Sequence, residues 1–171
     1  MSNDKLNLGS RLLIGAIAGF VGTLAMTAAM SRLHRRLPPK ENYPLTPREI
    51  IDSMGAKAGA KPTGELAKDL TTAAHFGYGA AAGSLIAAAN PRIGPATGAA
   101  AGVAIWTASY MGWIPAAGIL KPATEHPPRR NLLMIGVHLV WGASTALALR
   151  ELRVARETIL RDGPDKDAPP A

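Results

Sequence analysis

Long runs without a charged side chain alternate along the chain with short charged connectors. Residues 12–31, 70–91, 93–120 and 131–149 form runs of 20, 22, 28 and 19 residues free of Asp, Glu, Lys and Arg. A helix rising 1.5 Å per residue needs about 20 apolar residues to cross a hydrocarbon core about 30 Å thick. The pattern predicts an all-α, integral membrane four-helix bundle with spans at about 12–31, 70–90, 95–114 and 131–149, the third trimmed by Pro95 and Pro115. A soluble bundle would carry a polar residue at every third or fourth position of an outer face, and none of the four runs does. Lys5 and Arg11 precede the first run as in a secretory signal. That run is longer than the usual signal core of about 7–15 residues, so an uncleaved span is expected.

The connector at 32–69 is long for a structureless loop. Thr46-Pro47-Arg48-Glu49 reads as a capping box with proline at the first helical position, and Ile50, Ile51, Met54 and Ala58 then share a face. A short helix at about 47–60 follows, lying in the membrane interface or packed on the end of the bundle. Thr63 is placed to cap the second span. Residues 1–156 make one transmembrane domain, and 157–171 form a polar tail expected to be disordered.

Small residues recur at helical spacing inside the spans. Gly15 and Gly19 stand four apart in the first, Gly79 and Gly83 in the second, and Gly94, Gly98 and Gly102 in the third. Such stripes let helix backbones approach closely. Trp106, Tyr110 and Trp113 share a face of the third span.

An internal repeat is also legible. His75-Phe76-Gly77-Tyr78-Gly79-Ala80 matches His138-Leu139-Val140-Trp141-Gly142-Ala143, and Gly15 to Gly19 matches Gly98 to Gly102. The spans then read as two similar helical hairpins in one orientation. His75 and His138 fall roughly 9–12 Å below the same side, on stripes with Tyr78 and Trp141, so two imidazoles can face one another.

Composition narrows the chemistry. The absence of cysteine excludes disulfides, thiolate metal sites and iron–sulfur clusters. The net charge of +7 comes from basic residues flanking the spans, which membrane topology accounts for without nucleic acid. Lys and Arg number eleven on the connector side and eight on the side of the termini, which leaves orientation open. No nucleophile motif, phosphate-binding loop or carboxylate pair points to an enzyme, and no catalytic or metal site is expected.

Ionisable groups at membrane depth invite a functional reading. His75 and His138, with Tyr78 and Trp141, are the candidates. They can hold helices together, move protons in a small transporter, or, as a third reading, ligate a b-type haem. No cofactor is otherwise expected. The leading expectation is a scaffold or interaction protein whose partners are the lipid bilayer and a second copy or another membrane protein, packed through the glycine stripes.

The glycine-bearing first span before Leu37-Pro38-Pro39, the His75 span leading into a glycine-rich third, and His138-Leu139-Val140-Trp141 before the basic stretch at 150–156 resemble the YagU-like family of bacterial inner-membrane proteins. The resemblance implies a multi-pass inner-membrane protein of unassigned activity and brings no catalytic residues with it.

Overall fold

A computed structural model describes residues 6–42, 46–60 and 62–161. Among them the regular structure is helical, without a strand. Helix α1 is Leu8–His34, α2 Thr46–Lys57, α3 Gly64–Ala89 and α4 Pro95–Ala108. A π-helical turn, Ser109–Trp113, joins α4 to the short α5, Ile114–Ala116, and α6 is Pro128–Glu157. Asn7 caps α1 by accepting the Ser10 N–H at 2.8 Å. Proline at the first position opens α4 and α6, where its missing N–H costs nothing.

Only α1 and α6 are, among the described residues, long and apolar enough to cross a membrane. Helix α3 has the length, but Thr71, Thr72, His75, Tyr78 and its glycines dilute it. Helix α4 ends at Ala108 because the backbone of Gly112 (φ −115°, ψ −108°) leaves the helical region within the turn that follows. Helix α3 begins at Gly64, which takes φ +59°, and Thr63 makes no capping bond. The expected tail is helical to Glu157, and its residues from 162 onward lie outside the described part.

Helix α1 packs along α3 and along α6, and α6 packs along α4. The order across the bundle is therefore α3, α1, α6, α4. Glycines set the closest approaches. A Cβ on Gly15 would lie 2.6 Å from Gly83 O and 2.7 Å from Ala87 Cβ; one on Gly98 would lie 2.5 Å from Gly142 O and 2.7 Å from Ala146 Cβ. Likewise a Cβ on Gly19 would overlap Gly79 O, and one on Gly102 would overlap His138 O. The α1/α3 and α4/α6 pairs thus share one packing geometry in which Gly83 corresponds to Gly142 and Gly79 to His138. That register is one helical turn away from the alignment of His75 with His138, because close backbone contact is decided by where small residues fall and not by the aromatic positions beside them.

The two pairs are not equivalently joined. Helices α1 and α6 pack closely, where a Cβ on Gly22 would lie 2.8 Å from Trp141 O. Helix α3 instead meets the π-helical turn after α4 through side chains: Tyr78 hydrogen-bonds Ser109 at 2.7 Å, and its ring lies 6.3 Å from that of Trp113. Space is left between them on the inner side.

Helix α2 lies across one end. Ile50 packs on the core while Met54 stays 53% exposed, so only part of the expected apolar face is used. Among the described residues the reciprocal Thr46–Glu49 capping bonds are not seen, and Glu49 Oε2 has no hydrogen-bond partner. Burial raises the Glu49 pKa above the usual carboxylate range, and the charges of Arg130 and His126 oppose it by less. Arg130 itself is buried and donates to Glu41 O at 3.1 Å.

Candidate functional site

The space left between the helices is a pocket of about 240 Å³, closed at one end by Thr46, Pro47 and Ile50 of α2. All four sequence-derived candidates line it: His75 and Tyr78 from α3, His138 and Trp141 from α6. Met26, Met30, Ile105, Ile114 and Met134 make its walls largely apolar. Its lining, apolar with a few convergent polar groups, has the composition usual in small-molecule sites between bundle helices.

Several of the pocket's polar groups are held by specific partners. The Thr27 hydroxyl donates to Thr23 O at 2.7 Å, so its 3.2 Å contact with His75 Nε2 requires the imidazole to donate. His138 Nδ1 lies 2.7 Å from Met134 O, and a carbonyl only accepts, so Nδ1 carries the proton. In the neutral rings the other nitrogens, His75 Nδ1 and His138 Nε2, are therefore lone-pair acceptors. Ser109 Oγ donates to Ile105 O at 2.8 Å and accepts from Tyr78 OH and, at 3.3 Å, from Trp113 Nε1. Trp141 Nε1 donates at 3.2 Å to Thr23 Oγ1, which itself donates to Gly19 O.

The histidine stripes part ways in the fold. His75, Tyr78, Gly79 and Ala82 all face the pocket. Of the second stripe only His138 and Trp141 do; Gly142 lies against Gly98, and Thr145 against Gly22. The π-helical turn separates the aromatics expected on one face: Trp106 and Tyr110 are buried with ring centroids 5.5 Å apart, whereas Trp113 is 45% exposed. Such turns recur at functional sites, and this one turns Tyr110 and Trp113 toward the pocket.

Thr23, Thr27 and Ser109 did not stand out in the sequence. For Thr23 and Thr27 the signal is the spacing Gly19, Thr23, Thr27 on α1, where each hydroxyl back-bonds its own helix; Ser109 follows no such pattern.

The residues fit a haem poorly. About 240 Å³ falls below the roughly 300–1,000 Å³ of ordinary ligand pockets, and His75 Nε2 is engaged by Thr27. Among the described residues no group of three or more His, Asp or Glu side chains is arranged to hold a metal ion.

Of the glycines named from the sequence, Gly15, Gly19, Gly79, Gly83, Gly98 and Gly102 face atoms of the same chain at the position a Cβ would occupy, and Gly94 faces open space. Comparison with family models, curated proteins and solved structures finds no match to the chain.

Proposed function

We propose that the protein is a four-span, multi-pass protein of the bacterial inner membrane, and that it is a small transport protein that moves protons by way of His75 and His138. One observation carries the reading: two histidines from different helices line a single apolar pocket, each with one ring nitrogen engaged and the other a lone-pair acceptor. Imidazole is the side chain that exchanges a proton near neutral pH. The lining is largely apolar, which leaves the two rings among the few proton acceptors in the pocket.

The membrane location draws support from the charge-free runs, from the length and apolarity of α1 and α6, and from large apolar side chains on the outer surface. Leu13 (63%), Leu85 (70%) and Leu132 (70%) are exposed on three different helices. The resemblance to the YagU-like family points the same way. A scaffold packed through its glycine stripes is less well supported, because six of the seven glycines are already occupied within the chain.

The test is proton entry into proteoliposomes carrying an internal pH dye. Acid-driven entry is expected in the wild type and a loss of tenfold or more in His75→Gln and in His138→Gln, with helix content unchanged by circular dichroism. A wild type no more permeable than empty vesicles, or variants that conduct equally, would contradict the proposal.

A further inference from the structure

A second cavity, of about 330 Å³, lies at the end of the bundle away from α2. Arg11 of α1, Arg92 of the α3–α4 turn and Arg153 of α6 line it together with Leu6 and Glu157. Two of the arginines are held in place by backbone carbonyls. Arg11 donates to Leu6 O at 3.0 Å and to Ala88 O at 3.3 Å, and Arg153 donates to Pro91 O at 3.4 Å.

These bonds account for part of the arrangement, since guanidinium groups satisfy carbonyls at and beyond the C-terminal end of α3. They leave most of the donors of each guanidinium unused. They leave Arg92 without any role, because its side chain makes no hydrogen bond and no ion pair among the described residues. No ion pair there joins Arg11 or Arg153 to a carboxylate either. Three positive charges, two of them held in place, thus share a concavity with one carboxylate, Glu157.

We propose that this cavity binds a phosphate group. Guanidinium forks match phosphate oxygens in shape and charge, and clustered arginines are the usual recognition device for them. Two sources share this chemistry, an anionic phospholipid headgroup and free phosphate. Basic pockets between helices at the membrane surface take lipid headgroups, and Leu8 and Leu85, exposed near the same end, offer apolar surface for acyl chains. The lipid source rests on the membrane reading above; the anion site does not.

The experiment is native mass spectrometry and thermal unfolding of the full chain in neutral detergent, with dioleoylphosphatidylglycerol, dioleoylglycerol and inorganic phosphate as probes. Phosphatidylglycerol is expected to stay bound and raise the unfolding temperature, and dioleoylglycerol to do neither. Arg92→Gln, which removes no structural bond, should weaken binding about fivefold. Arg150→Gln, outside the cavity, should leave it unchanged, and Glu157→Gln should tighten it. Inorganic phosphate binding with the same Arg92 dependence assigns the site to free phosphate. Binding of neither phosphate-bearing probe, equal binding of dioleoylglycerol, or indifference to Arg92→Gln would overturn the proposal. A chain that remains dispersed without detergent and still binds phosphate would overturn the membrane reading and keep the site.

Discussion

Trp141 on α6 donates its indole N–H to the hydroxyl of Thr23 on α1 at 3.2 Å. Both residues are almost fully buried, at 3% and 1% exposure, and the bond crosses the α1/α6 interface beside the pocket. Trp141→Phe keeps much of the packing and removes the donor, so it should cost about 1 kcal/mol. Thr23→Val should cost a similar amount. In a double-mutant cycle read by chemical denaturation the two should be coupled by about 0.6 kcal/mol or more; strictly additive losses would show that the bond contributes nothing.

Glycine substitutions should divide by position. Gly19→Ala and Gly142→Ala place a methyl group onto the backbone of the neighbouring helix, which cannot move aside as a side chain can. Each should destabilise by about 1–3 kcal/mol. Gly77 and Gly136 lie within α3 and α6 with open space where a Cβ would go. Gly77→Ala and Gly136→Ala should therefore stabilise by about 0.5–1 kcal/mol, through lower backbone entropy in the unfolded chain. Thermal unfolding of the four variants side by side checks the contrast.

The Glu49 carboxyl has its pKa raised, first by burial, with Arg130 and His126 opposing. For an acid raised in the folded state, the favourable contribution is complete below the unfolded pKa and disappears as pH rises through the folded one. Ionised Glu49 is thus a burden at neutral pH. Glu49→Gln should raise the unfolding temperature at pH 7 and leave it unchanged near pH 3. A drop at pH 7 would mean that attraction to Arg130 outweighs desolvation.

The helices were largely legible because charge marks their limits: the run at 12–31 lies inside Leu8–His34, and that at 131–149 inside Pro128–Glu157. Where charges enter a helix the charge-free run is shorter than the helix, as at Glu65, Lys68 and Asp69 in the first turns of α3, whose start is marked instead by Thr63 at the N-cap position. The break at Ser109–Trp113 was hidden, since one glycine, Gly112, among ordinary span residues gives no warning that the backbone will leave the helix there. His75 and Tyr78 could be placed on one stripe from spacing alone. Which helix they would face could not, because the register between α3 and α1 is set by Gly79 and Gly83 and not by the histidine motif. The meeting of Arg11, Arg92 and Arg153 depends on three helix ends converging, which no local pattern encodes.

The central claim is that the chain crosses the membrane four times, and the side on which Arg92 emerges tests it most directly. The chain has no cysteine, so Arg92→Cys, Lys121→Cys and Arg161→Cys can each be labelled alone in oriented membranes with an impermeant maleimide. Four spans put position 92 on the same side as 161 and opposite 121. If only α1 and α6 cross, position 92 is labelled with 121 and the account fails.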